Sequence, residues 1–436
     1  MIVTETLALP VWRVWLNRAA DLVGFALLIF LLRQIFFARG PSFDGIASAV
    51  GVAGLAAAWA KRELPRVTWH RLLAAYVALT VLSTVVHRLQ IWPALFGSTP
   101  VAPWRPAIHT LILVLFFYGV ASLLATSWRI QILLAVMVVA ASVLAVPVLY
   151  DHAVFGLATR PLEYPSANQW TGYADLALVF ALVFPLPLAA AVASRSRGFL
   201  AASALLALAF AFDVALLFSR VAYITVAVTY VVLSVVEWTR LKGARLAAVA
   251  LLAVAIAAAV AAPRARAVQE IWSGRSFGVY EQSKYTSRII IWSRVSELVR
   301  DYPWLGVGPG NYHDVMQEKY MKYFDPYVYA DHAHNMFLHI AAESGIPAAV
   351  AFLLIWYHVL KRLVAACARD SIGVLALAVL GALAAFFFRC LSDHFMSRFL
   401  TADRVSLLLW TFFAAAVAIA RMRDDLAPPF PSRAVV

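Results

Sequence analysis

The fifteen residues DHAHNMFLHIAAESG, Asp331 to Gly345, gather three histidines and two carboxylates in a chain that is otherwise strongly apolar. His332 and His334 stand two apart, with Asp331 beside them. A zinc site would need a third and a fourth ligand in suitable geometry, and H-x-H alone does not supply them. The two cysteines, Cys367 and Cys390, do not suggest a metal-thiolate centre either. A histidine also suits general-base work, because an ordinary pKa of about 6.5 lets it take up a proton at neutral pH, particularly when a carboxylate orients its other nitrogen. The plain alternative is a capping or core histidine. If the stretch is helical, His334 and Leu338 share a face, while His339 is rotated by about 140° from His334 and need not belong to the same site.

Arginines form the second group. Arg220 lies in LLFSRVAY between two apolar stretches, and Arg160 lies in the loop DHAVFGLATRPLEYPSANQW. Arg288 heads a segment with helical apolar spacing. A guanidinium near hydrocarbon costs several kcal/mol, in order of magnitude, unless it is paired or faces water. Three of them at one membrane level, without an equal set of acids, suggest an anionic ligand, since the planar fork binds two phosphate oxygens at once. The bland reading of each alone is snorkelling to lipid head groups. In FFFRCLSDHFMSRF, Asp393 is placed to orient a histidine, bind a sugar hydroxyl, or pair with Arg389 four residues back. The glycines of LGVGPGN, at 306, 308 and 310, lack the strand, the helix and the Lys-Ser/Thr pair of a phosphate cradle, so a tight turn is predicted.

The elements that must position these groups lie in a membrane. Of 436 residues, 63% are hydrophobic and 14% charged, against roughly 25% charged in a soluble domain. Apolar runs of bilayer-crossing length recur, and the ten-residue alternation of a barrel does not appear, so an all-α polytopic fold is predicted. Twelve spans are read, at 20–37, 45–60, 69–87, 107–125, 130–150, 173–193, 198–218, 221–239, 244–262, 345–364, 371–390 and 405–420. The second is short and rich in Gly and Ala, either a tightly packed small-residue helix or a tilted partial insertion. Spans one to nine fill 1–262, a large loop 263–333, spans ten to twelve 334–420, and a tail 421–436. No cleavage pattern interrupts the first span, so it reads as uncleaved.

With the N-terminus inside, Lys and Arg in short inner segments outnumber those outside by two to one, which predicts both termini in the cytoplasm. The net charge of +13 is then mostly an orientation signal and calls for no nucleic acid. The large loop falls on the outer face with nearly balanced charge. An amphipathic helix is predicted over Thr286 to Arg300, lying along the membrane surface and stopped by Tyr302-Pro303. The aromatics that follow, from Trp304 to Tyr329, fit an interfacial belt or stacking on sugar rings.

Together these residues resemble the O-antigen ligases, within the wider group of O-antigen polymerases and bacterial O-oligosaccharyltransferases. His334-Asn335, the nine residues Met336 to Ser344, and Gly345 match the ligase signature, while Ala348 stands where it has Gly, Thr or Tyr. The Ser-Arg element at Arg220, the Ser287-Arg288 pair with Trp292, PWLGVGPGNY and the loop with Arg160 and Asn168-Gln169 are similar too. The resemblance implies a glycosyltransferase of the inner membrane, needing no metal or other cofactor. It implies transfer of a glycan from undecaprenyl pyrophosphate to the outer core sugar of lipid A-core at the periplasmic face. His334 would be the base, Arg160, Arg220 and Arg288 the pyrophosphate clamp, and Asn335, Asp393 and His332 supporting groups, with membrane lipids around them. Ala348 leaves a polymerase or a protein O-oligosaccharyltransferase open. A transporter or flippase of an anionic solute would show broken spans at matching places in two halves, and none is seen.

Overall fold

The computed structural model describes residues 11–37, 43–61, 69–91, 101–155, 173–193, 196–217, 220–238, 278–321, 332–367, 370–392 and 404–426. Among the described residues all regular structure is helical. The helices are α1 (Val11–Phe37), α2 (Asp44–Lys61), α3 (His70–Arg88), α4 (Arg105–Leu123), α5 (Ser127–Phe155), α6 (Tyr173–Val183), α7 (Pro185–Ala193), α8 (Arg197–Leu216) and α9 (Arg220–Trp238). After them come α10 (Gly278–Asp301), α11 (Tyr312–Val315) with a π turn over Met316–Tyr320, α12 (Met336–Ser344), α13 (Ile346–Ala366), α14 (Ser371–Ser392) and α15 (Arg404–Leu426). Eight of these, α1, α3, α4, α5, α8, α13, α14 and α15, are long and apolar enough to cross a membrane. The chain is an all-α polytopic membrane protein.

Two differences from the sequence reading, and one choice between its alternatives for the second span, have physical causes. The span read at 173–193 is two helices, because Pro185 has no N–H to continue the ladder; the chain turns at Phe184, whose own N–H still reaches Phe180 O at 2.8 Å. The Gly/Ala-rich α2 packs between α1 and α4. A side chain at Gly54 would overlap the backbone of Gly119, so the two helices touch main chain to main chain. Third, α10 leaves Ile289 71% exposed but buries a neighbouring stripe, Ile291, Val295 and Leu298. That stripe is buried in a second core with Val307, Tyr312, Met316 and Ala342. Each such burial stabilises by about 1.5–3 kcal/mol before entropy, so this face of the helix is held by protein and not by a membrane surface. As expected, it ends at Tyr302-Pro303. The span read at 244–262 is outside the described residues.

The two ends of the bundle differ. At one, Arg129 grips Asp21 through two nitrogens at 2.8 and 2.6 Å and donates to Leu123 O at 2.9 Å, joining α1, α4 and α5. Arg362 pairs with Asp424, and Arg423 with Asp370, at the corresponding ends of α13, α14 and α15. The other end carries α10 to α12, the C-terminus of α3 and that of α14. The 22 residues of α14 put about 33 Å between the two ends.

Candidate active site

Asn335 builds the site's centre. Its extended backbone (φ −159°, ψ 119°) cannot continue a helix backwards, and its Oδ1 accepts from the N–H groups of Phe337 and Leu338, both at 3.0 Å. It is thus the N-cap of α12. His334 precedes the cap, outside the helix, so it does not share a helical face with Leu338. Its φ is +46°, in the left-handed region where a residue with a side chain is held at a cost of roughly 1–2 kcal/mol.

Neighbours on both sides hold that conformation. Trp292 Nε1 donates to Ala333 O at 2.9 Å, and Ala333 is fully buried. Asn335 Nδ2 donates to Leu391 O at 3.1 Å, fixing the cap to the last turn of α14, where Cys390 Sγ lies 3.2 Å from Met336 Sδ. Between these ties the rings of His332 and His334 lie 4.1 Å apart, centre to centre. Arg288 is one turn before Trp292 on α10, so it shares the face turned toward the segment 332–334. The structure therefore brings His332, His334, Asn335 and the face bearing Arg288 to one end of the bundle.

The other end of α12 shows what the glycines do. Helix C-termini leave orphan carbonyls, and here Val307 N donates to Ala342 O at 2.8 Å while Gly308 N donates to Glu343 O at 3.0 Å. Gly310 N reaches Glu343 Oε1 at 2.9 Å, and Ser83 Oγ of α3 lies 2.6 Å from Leu305 O and 3.1 Å from Glu343 O. Gly306, Gly308 and Gly310 all have positive φ, so the turn read from LGVGPGN is present. The amides of Val307, Gly308 and Gly310 are directed to α12, while that of Gly306 bonds Tyr302 O at 3.1 Å. Gly345 closes the clasp at φ +89°, against the carbonyl of Trp304.

His339 is separate from this centre. It is buried, its Nε2 lies 3.4 Å from Glu343 Oε2, and its ring packs on Tyr312 at 4.6 Å. Burial, and then the Glu343 carboxylate, push the Tyr312 hydroxyl well above its usual range, keeping it neutral. Among the described residues no three His, Cys, Asp or Glu side chains gather as metal ligands. Arg160, Asp331 and Asp393 lie outside the described residues. Arg220 is the first residue of α9, its side chain outside them. Ala348 is fully buried in the first turn of α13. The roles of Ser83 and Glu343 have no sequence signature, since Ser83 sits more than two hundred positions from the carbonyl it binds.

Residues 204–353 match the family model described as O-antigen ligase, consistent with an O-antigen ligase family member. No curated protein matches the chain. The matched stretch takes in Arg220, Arg288, the glycine clasp, His334 and Gly345.

Proposed function

We propose that this O-antigen ligase family member transfers an O-antigen glycan from undecaprenyl pyrophosphate to the outer core sugar of lipid A-core, at the periplasmic face of the inner membrane. The observation that carries the reading is His334, held in a left-handed conformation between Ala333, tied to Trp292 of α10, and Asn335, tied to Leu391 of α14. In the reaction the acceptor hydroxyl attacks the anomeric carbon and its proton passes to His334. The bond from that carbon to the pyrophosphate oxygen breaks, and the electron pair leaves with the pyrophosphate.

Arg288, with Arg160 and Arg220, binds the pyrophosphate and stabilises the charge that develops on it. A single direct attack inverts the anomeric centre. Because pyrophosphate is a good leaving group, neither a protonating acid nor a metal is required. Asn335 fixes the backbone on the C-terminal side of His334, and His332 packs against its ring. Asp393, which follows Ser392 in sequence, is assigned a supporting role.

The test is transfer by purified protein in vitro, with lipid-linked glycan as donor and lipid A-core as acceptor, with and without chelator. Glycosylated lipid A-core in both conditions is expected. Elongation of a second lipid-linked glycan, or glycosylation of a protein acceptor, would instead make the chain a polymerase or a protein transferase. Absence of all three products from a folded preparation overturns the reading.

A further inference from the structure

Trp304 is 69% exposed, although the residues that follow it, Leu305 to Gly308, are buried. Its backbone is held tightly. The carbonyl of Pro303, the preceding residue, accepts from Ile346 N at 2.8 Å, and its own carbonyl packs on Gly345. Ile346 is the first residue of α13, a helix long and apolar enough to cross a membrane. On α13 the exposed apolar residues Ile346, Val350, Leu353 and Tyr357 follow a spacing of four, three and four, which is one helix face. That face is the one left for lipid. It runs up to Ile346, whose N–H is bonded to the residue just before the exposed Trp304.

We infer that Trp304 docks into the interfacial layer of the bilayer, as the upper end of the lipid-facing side of α13. The chemistry fits, because an indole has an apolar body and one N–H donor and favours the level of the head groups. A glycan as occupant is less suited to the position. Trp304 adjoins the C-terminal end of α12 whereas His334 precedes its N-terminus, and nine residues of helix put about 14 Å between them. Through Pro303 and Gly345 the indole also sets the depth at which α12 stands over the membrane.

The experiment uses the full chain in nanodiscs of phosphatidylcholine carrying bromine at a shallow or a deep acyl position. The emission of Trp304 is taken as the difference between the wild-type protein and Trp304→Phe. Strong quenching by shallow bromine, weak quenching by deep bromine and little by aqueous acrylamide are expected. Quenching by acrylamide but not by brominated lipid overturns the inference, and protection from acrylamide by an added soluble oligosaccharide would reassign the indole to a glycan. Hydroxyl-radical footprinting of the unaltered protein in nanodiscs gives the same decision without a variant: protection of Trp304 is expected, and ready oxidation overturns the inference. Neither readout depends on transfer activity.

Discussion

The carbonyl oxygen of Trp304 occupies the space that a side chain on Gly345 would need. The same glycine has φ +89°, and its N–H bonds Ala341 O at 3.0 Å, ending α12. One position therefore terminates the motif helix, turns the chain into α13 and admits the backbone of the glycine clasp. Gly345→Ala meets both a forbidden backbone region and an overlap with main chain. A loss of at least about 2–3 kcal/mol of stability is expected, read as a lower thermal midpoint and faster inactivation in detergent.

Asn335 works through two atoms that can be separated by substitution. Asn335→Asp keeps an acceptor for Phe337 N and Leu338 N but loses the donor to Leu391 O, whereas Asn335→Ala loses both. Loss of the cap costs about 1 kcal/mol. Hydrogen exchange at Phe337 and Leu338 is expected to accelerate roughly fivefold in the alanine variant and little in the aspartate variant. Equal acceleration in both would assign the protection to the bond to Leu391 O, which both variants lose, and not to the cap.

The end of α10 is tied to the π turn by a pair of bonds to Asp301. Tyr320 Oη donates to its carboxylate at 2.5 Å and Lys319 Nζ at 2.9 Å. These bonds, Tyr320's first, hold the Asp301 carboxyl below its usual range. The contribution is complete above the ordinary aspartate value of about 3.9 and is lost as pH falls through the lower folded value. Exchange protection of the amides from Met316 to Met321 is expected to hold down to about pH 4 and to fall below it. In Asp301→Asn that step is expected to disappear.

His334→Ala is expected to reduce transfer by about 100-fold to 10,000-fold, the usual range for loss of a general base, while binding of the lipid-linked donor persists. Arg288→Lys keeps a positive charge and loses the fork, so roughly a tenfold fall in kcat/KM is expected, with the thermal midpoint unchanged. Transfer by His334→Ala at the wild-type rate would remove the base assignment. Wild-type kinetics in Arg288→Lys would mean that the arginine only reaches for head groups.

The sequence by itself determined the class of the protein, because apolar runs of bilayer length and their bordering arginines follow from local composition. It also determined where the titratable groups concentrate, and it marked His334, Asn335 and Gly345, since motif spacing is a property of the chain. Only the tertiary structure decided what α10 packs against, because a helix's apolar stripe says that a face is covered but not by what: for Ile291, Val295 and Leu298 it is protein. Tertiary structure alone also placed His334 outside α12 and His339 on its buried side, for the start of that helix depends on Asn335, which caps it and is pinned to Leu391. The glycines at 306, 308 and 310 showed a turn in the sequence, but the α12 partners of the amides of Val307, Gly308 and Gly310, two carbonyls and a carboxylate, are more than thirty residues away along the chain. Contacts at that separation form only when the whole bundle closes, and no local pattern carries them.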